Sequence, residues 1–165
     1  MATTASIAPY IVPAGAGLSD VWWKTGRIQT KASGAETRGS FSQIETIDPR
    51  GTATPLHVHH NEEETFYVLE GEVSLFVEGA RHDLSAGGFA LVPRGLQHGY
   101  LVRSELARML VTFSPSGFED VFVDHGAPVL EGAAPPDDAV FPPVEEMIQA
   151  FAAYGCAIVG PPPAL

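Results

Sequence analysis

Between Asp20 and Phe113 the chain alternates apolar and polar residues in short runs broken by Gly, Pro, Asn and Asp, a period of two that predicts strands. In Glu72–Glu78, Val73, Leu75 and Val77 share one face and Ser74 and Phe76 the other, which predicts a half-buried strand. The same reading predicts strands over Asp20–Thr30, with Trp22 and Trp23 on opposite faces, over Phe41–Ile47, and over the Thr-Phe-Tyr-Val-Leu run that Glu64 opens. Further strands are expected at Arg81–Leu84, at Phe89–Val92, from His98 through Tyr100 and Val102, and at Ala107–Phe113. Lys31–Gly39 is loop-like, and Asp48-Pro49-Arg50-Gly51, Gly79-Ala80-Arg81 and Ser85–Gly88 carry turn chemistry. A regular succession of short strands with no long helical pattern between them indicates an all-β antiparallel barrel or sandwich.

The pattern changes on either side. Residues 1–20, rich in Ala, Pro and Gly, read as an extended arm in which Tyr10, Ile11 and Val12 could pair as an edge or swapped strand. Phe118–Phe122 reads as one or two helical turns, and Gly126–Pro143 as a Pro/Ala/Asp-rich connection. Val144–Tyr154 then has helix signals: Pro142 and Pro143 before it, Glu145 and Glu146 in its first turn, and Gly155 after it. Val144, Met147, Ile148 and Phe151 fall on one face, expected to pack on the outside of the barrel or on a partner subunit. The division is therefore an N-terminal arm at 1–20, a barrel at 21–125, and a C-terminal extension at 126–165 carrying a helix at 144–154.

Composition narrows the function classes. At 165 residues one domain is expected, with room for a real core. A formal net charge of −11 and a pI near 4.8 argue against nucleic acid or an anionic membrane as partner, because phosphate binding needs a basic face. Cys156 is the only cysteine, so no intrachain disulfide forms. No apolar run approaches the roughly 20 residues that cross a bilayer, and the N-terminus lacks a basic region ahead of an apolar block. A cytoplasmic location is expected.

The chemistry concentrates in Gly51–Gly71, GTATPLHVHHNEEETFYVLEG. On a strand His57 and His59 point to the same face and Val58 away, so two imidazoles converge. His60-Asn61-Glu62-Glu63 suits a tight connection, and a hairpin would bring Glu64 back to the two histidines. On spacing alone Glu62 and Glu63 compete with Glu64 for that place. In Gly87–Tyr100, GGFALVPRGLQHGY, a turn at Pro93-Arg94-Gly95 delivers His98 to the head of the next strand as the natural fourth ligand. Imidazole and carboxylate together suit a divalent transition metal: Ni, Fe, Mn, Zn, Co or Cu. His60, His82 and His125 lack such spacing and are expected at the surface.

These two stretches resemble the motifs of the cupins. The first motif of that family is Gly, five residues, His-x-His, three or four residues, Glu, six residues, Gly, met by Gly51, His57, His59, Glu64 and Gly71. The second is Gly, five residues, Pro-x-Gly, two residues, His, three residues, Asn, met by Gly87, Pro93, Gly95 and His98, with Val102 in place of the Asn. The resemblance covers roughly residues 40–115, and Gly51, Gly71 and Gly95 fall where turns need positive φ. It implies a cupin jelly-roll barrel, with one metal held by His57, His59, Glu64 and His98. It also selects Glu64, with six residues between it and Gly71, over Glu62 and Glu63, which are then expected to be solvated loop charges. The family's Asn is not a metal ligand, so Val102 alters pocket polarity only.

Phe66 and Val68 share the face of Glu64, and Tyr100 and Val102 that of His98. Together they predict a largely apolar pocket wall, suited to an aromatic small molecule, with Tyr100 able to orient it. Glu64 is expected to serve as ligand and as proton acceptor, since strand alternation places no other carboxylate on the cavity face. The chain looks most like the bacterial quercetin-dioxygenase-like cupins, implying a metal-dependent dioxygenase that uses dioxygen on a flavonol-like or other aromatic enol. A metal-dependent isomerase or cyclase of a natural-product pathway and a non-enzymatic small-molecule binder are the alternatives. Cupins commonly pair barrel faces and exchange N-terminal strands, so a homodimer is expected.

Overall fold

The computed structural model describes residues 8–132, 134–136 and 143–164. The first seven residues of the expected arm, and residues 133 and 137–142 of the Pro/Ala/Asp-rich connection, lie outside the described residues. Within them two antiparallel sheets pack face to face, the all-β sandwich that the alternating pattern predicts and the jelly roll that the resemblance implies.

The larger sheet contains β1 (Ser19–Trp23), β2 (Gly26–Ala32), β3 (Ser42–Pro49), β5 (Glu63–Glu70), β8 (Phe89–Val92), β10 (Leu106–Ser114) and β11 (Ala127–Pro128). Their order across the sheet is β11-β1-β2-β3-β10-β5-β8. The smaller sheet runs β12-β4-β9-β6-β7, built from β4 (Leu56–His59), β6 (Glu72–Val77), β7 (Ala80–Ser85), β9 (His98–Val102) and β12 (Cys156–Gly160). Among the described residues three helices accompany them: α1 (Gly34–Thr37), α2 (Asp120–His125) and α3 (Val144–Ala153). No helix among the described residues is long and apolar enough to cross a membrane.

Strand alternation builds the core. On β10 Ala107, Met109, Val111 and Phe113 all point inward and are buried, with Leu106, Arg108, Leu110 and Thr112 on the opposite face. Phe66 and Val68 on β5, Val73 on β6 and Val102 on β9 meet them from both sheets. Burying each such side chain stabilises the fold by about 1.5–3 kcal/mol, so the inward rows of the two sheets hold the sandwich together.

Three segments differ from their expected form. Asp20–Thr30 is a hairpin: β1 and β2 pair from Ser19↔Thr30 to Trp23↔Gly26, and Lys24 takes φ 55 in the turn between them. The Lys-Thr-Gly turn interrupts a run whose β propensity reads as continuous. Lys31–Gly39 includes the single-turn helix α1, closed by a capping box between Ser33 and Glu36. After α3 the chain returns to the smaller sheet as β12, pairing with β4 from Cys156↔His59 to Gly160↔Leu56. The C-terminal extension is thus joined to the barrel by main-chain hydrogen bonds as well as by its helix.

On α3 Met147 and Phe151 are buried, and Phe151 stacks on Trp23 at 6.0 Å between ring centroids. Trp23 also meets Phe122 edge to face at 5.2 Å. Its neighbour Trp22 faces the other way and pairs with Ala127 of β11.

Candidate metal centre

His57 and His59 leave β4 on one face, and His98, directly opposite His57, comes from the adjacent β9. Glu64 comes from the other sheet. The expected β4–β5 hairpin does not form: β5 pairs with β10 and β8, and residues 60–62 carry the chain across the sandwich. Glu64 reaches the histidines by facing them across the core. The turn of the second motif is tied to the first, because the Gly95 N–H donates to the His59 carbonyl at 2.8 Å, with Gly95 at φ 87.

The four donor groups lie within 4.8 Å of one another and all four residues are buried. Glu64 Oε2 is 2.7 Å from His98 Nε2, 3.2 Å from His59 Nε2 and 3.8 Å from His57 Nε2. The other ring nitrogens are occupied from behind: His57 Nδ1 is 2.7 Å from the Pro55 carbonyl, and His98 Nδ1 is 3.0 Å from the Leu96 carbonyl. A carbonyl only accepts, so each of these Nδ1 atoms carries a proton, and Nε2 is the ring atom that each histidine turns toward Glu64. A divalent cation placed among them could take one Nε2 from each ring and the carboxylate together.

His59 makes the same point. Both of its nitrogens are buried and neither forms a hydrogen bond. Burial alone would lower its pKa, but the carboxylates of Glu62 and Glu64 raise it to about 9. For Glu64 burial pushes upward, yet the three imidazoles outweigh it and hold the carboxyl well below its usual range. For His57 burial prevails and its pKa is lowered. Three imidazoles and one carboxylate that attract positive charge to one point fit a divalent transition metal, with His57, His59, Glu64 and His98 as its ligands.

Glu62 is not the solvated loop charge expected of it. It is 3% exposed, and its Oε2 lies 3.3 Å from His59 Nδ1. Glu63 does remain at the surface, in a two-pronged pair with Arg94 at 2.8 Å on each side. His60 and His82 are exposed and His125 is half-buried.

Beside this cluster lies a cavity of about 740 Å³, within the range of small-molecule sites. His57, Glu64 and Tyr100 line it, with Ile44, Phe113 and Phe118 in its apolar wall; α3 adds Met147, Ile148 and Phe151. Phe66, Val68 and Val102 are buried in the core and do not line this cavity. Phe66 instead packs edge to face on Tyr100, at 6.1 Å between centroids. Asp48 lines it too, which corrects the expectation that Glu64 is the only carboxylate there. β3 continues past Ile47, and the alternation Ser42, Ile44, Thr46, Asp48 carries the carboxylate to the inner face. Extending that alternation by one step would have found it in the sequence.

The chain matches the Cupin domain family over residues 43–113. This chain is a cupin. It is 42% identical over 93 residues to an uncharacterized protein of Aquifex aeolicus, covering 49% of this chain and 77% of that one. It is 32% identical over 97 residues to the quercetin 2,3-dioxygenase of Bacillus subtilis, covering 59% of this chain but only 29% of that enzyme. Among solved structures the cupin resembles an ectoine synthase from P. lautus, with a TM-score of 0.55 and 27% identity over 70% of this chain and 87% of that one.

Proposed function

We propose that this cupin is a metal-dependent dioxygenase acting on a flavonol-like or other aromatic enol small molecule. The observation that carries the reading is the position of the ligand cluster: two of its members, His57 and Glu64, form part of the wall of an apolar cavity large enough for a fused-ring compound. Similarity to the Bacillus subtilis quercetin 2,3-dioxygenase supports it. When bound, a redox-active divalent metal supplies Lewis acidity and allows dioxygen to act as the oxidant.

The chain's own residues supply the rest. The carbonyls of Pro55 and Leu96 fix the tautomers of His57 and His98. Phe113, Phe118 and Phe151 exclude water from the ring system of a substrate. Glu64 faces the cavity and takes the proton that an enol gives up on binding. The active form is a homodimer paired through exposed apolar strand residues.

The test is metal analysis of protein purified without chelators, followed by oxygen-electrode assays with quercetin and simpler enols. Stoichiometric oxygen uptake with substrate loss is expected. The likeness to an ectoine synthase favours a second reading, redox-free turnover of a small natural product, and substrate loss without oxygen uptake would establish it. Tight binding without turnover would leave a small-molecule binder.

A further inference from the structure

Asp48 and Glu64 are the two carboxylates of the described residues that line the cavity, and only Glu64 belongs to the ligand cluster. Asp48 is 3% exposed. Its Oδ2 accepts the Tyr100 hydroxyl at 2.9 Å, a bond that runs from β3 in one sheet to β9 in the other. Its Oδ1 lies against Gly26 of β2, where an added Cβ would stand 2.1 Å away, so glycine is what makes room for the carboxylate.

Among the described residues Asp48 forms no ion pair. The cations of neighbouring β2 are engaged elsewhere, Arg27 with Asp20 and Lys31 with Glu45. Tyr100 and Thr46 are the polar side chains that act on Asp48, while the other titratable groups along the cavity are Lys24, His57 and Glu64. Burial therefore pushes the Asp48 carboxyl up to about 6, which still leaves it ionised at neutral pH. An ionised carboxylate offers about four acceptor positions, of which Tyr100 and Thr46 take no more than two. Unfilled positions in an apolar wall are costly, and a ligand that brings a donor removes that cost.

We propose that Asp48 is a specificity-determining residue that accepts a hydrogen bond from a hydroxyl of the ligand, apart from the metal ligands, so that the cavity selects aromatic compounds bearing a hydroxyl. This rests on the reading of the cavity as the ligand site. It is separate from the dioxygenase activity itself. Tyr100 orients the carboxylate through Oδ2, and acceptor capacity beyond Tyr100 and Thr46 is left for the ligand.

The test uses 2-naphthol and 2-methoxynaphthalene, in which a methyl replaces the hydroxyl hydrogen and removes the donor, on the zinc-loaded protein. Native protein should bind the naphthol about tenfold more tightly, the difference a charge-assisted hydrogen bond makes. In Asp48→Asn that preference should fall toward unity, with zinc stoichiometry showing that the centre is kept. In Tyr100→Phe it should persist. Equal or absent binding of the two probes by native protein, or the same preference in native and Asp48→Asn, overturns the proposal, as does a preference lost only in Tyr100→Phe. Oxygen uptake with quercetin is measured in parallel. Uptake without a naphthol preference removes the role of Asp48 and keeps the dioxygenase; a preference without uptake does the reverse.

Discussion

Glu62 Oε2 stands 3.3 Å from Nδ1 of His59, while Glu64 Oε2 stands 3.2 Å from Nε2 of the same ring. One imidazole thus lies between two buried carboxylates, one in the ligand cluster and one behind it. A carboxylate behind a metal-bound histidine fixes its orientation and raises its basicity. Glu62→Gln should therefore weaken metal affinity about 10- to 100-fold in a chelator competition titration. Glu63→Gln, which loses only a surface pair with Arg94, should leave it unchanged.

Removing a ligand should have a larger effect. His98→Ala should abolish stoichiometric metal in elemental analysis, because it deletes the nitrogen nearest the Glu64 carboxylate. Full metal occupancy in that variant would remove His98 from the ligand set. His60→Ala, at an exposed position, should bind metal like the native chain.

Glu64→Gln keeps an oxygen donor and nearly all the volume but loses the basic group. Metal should be partly retained while turnover of an enol substrate falls by about 10²–10⁴, the usual contribution of a positioned proton acceptor. Native turnover by metal-loaded Glu64→Gln would exclude the base role.

Asp48 gives a pH signature of stability. Its folded pKa, about 6, lies above its ordinary 3.8, so the native state binds the proton more tightly than the unfolded chain. The stability it contributes is complete below pH 4 and is lost as pH rises through about 6. Two pKa units correspond to about 3 kcal/mol. Urea unfolding should show the native protein losing that amount relative to Asp48→Asn between pH 4 and pH 7. Parallel curves for the two proteins would mean that Asp48 is not held in this environment.

Phe89 and Leu91 on the edge strand β8 are 60% and 55% exposed, beside Tyr67 and Leu69 on β5 at 42% and 39%. An apolar edge of this kind is a site for association. Sedimentation at micromolar concentration should give twice the chain mass of 17.5 kDa, and Phe89→Lys with Leu91→Lys should return the monomer.

Local rules were enough to read much of this protein from its sequence. Period-two alternation placed most of the strands and turned His57 and His59 to one face, because side-chain direction on a strand depends only on neighbours in the chain. The glycines at 51, 71 and 95 take the positive φ that their turns require, at 84°, 83° and 87°. Strand partnership is not local. Nothing between His59 and Glu64 distinguishes a hairpin from a crossing between sheets, and only the pairing of β5 with β10 and β8 decides that Glu64 meets the histidines from across the core. The burial of Glu62 behind His59, the insertion of β12 beside β4, and the meeting of Asp48 with Tyr100 over a separation of 52 residues have the same origin. Each is a contact between elements whose closeness follows from how the two sheets pack, and a one-dimensional pattern carries no record of that.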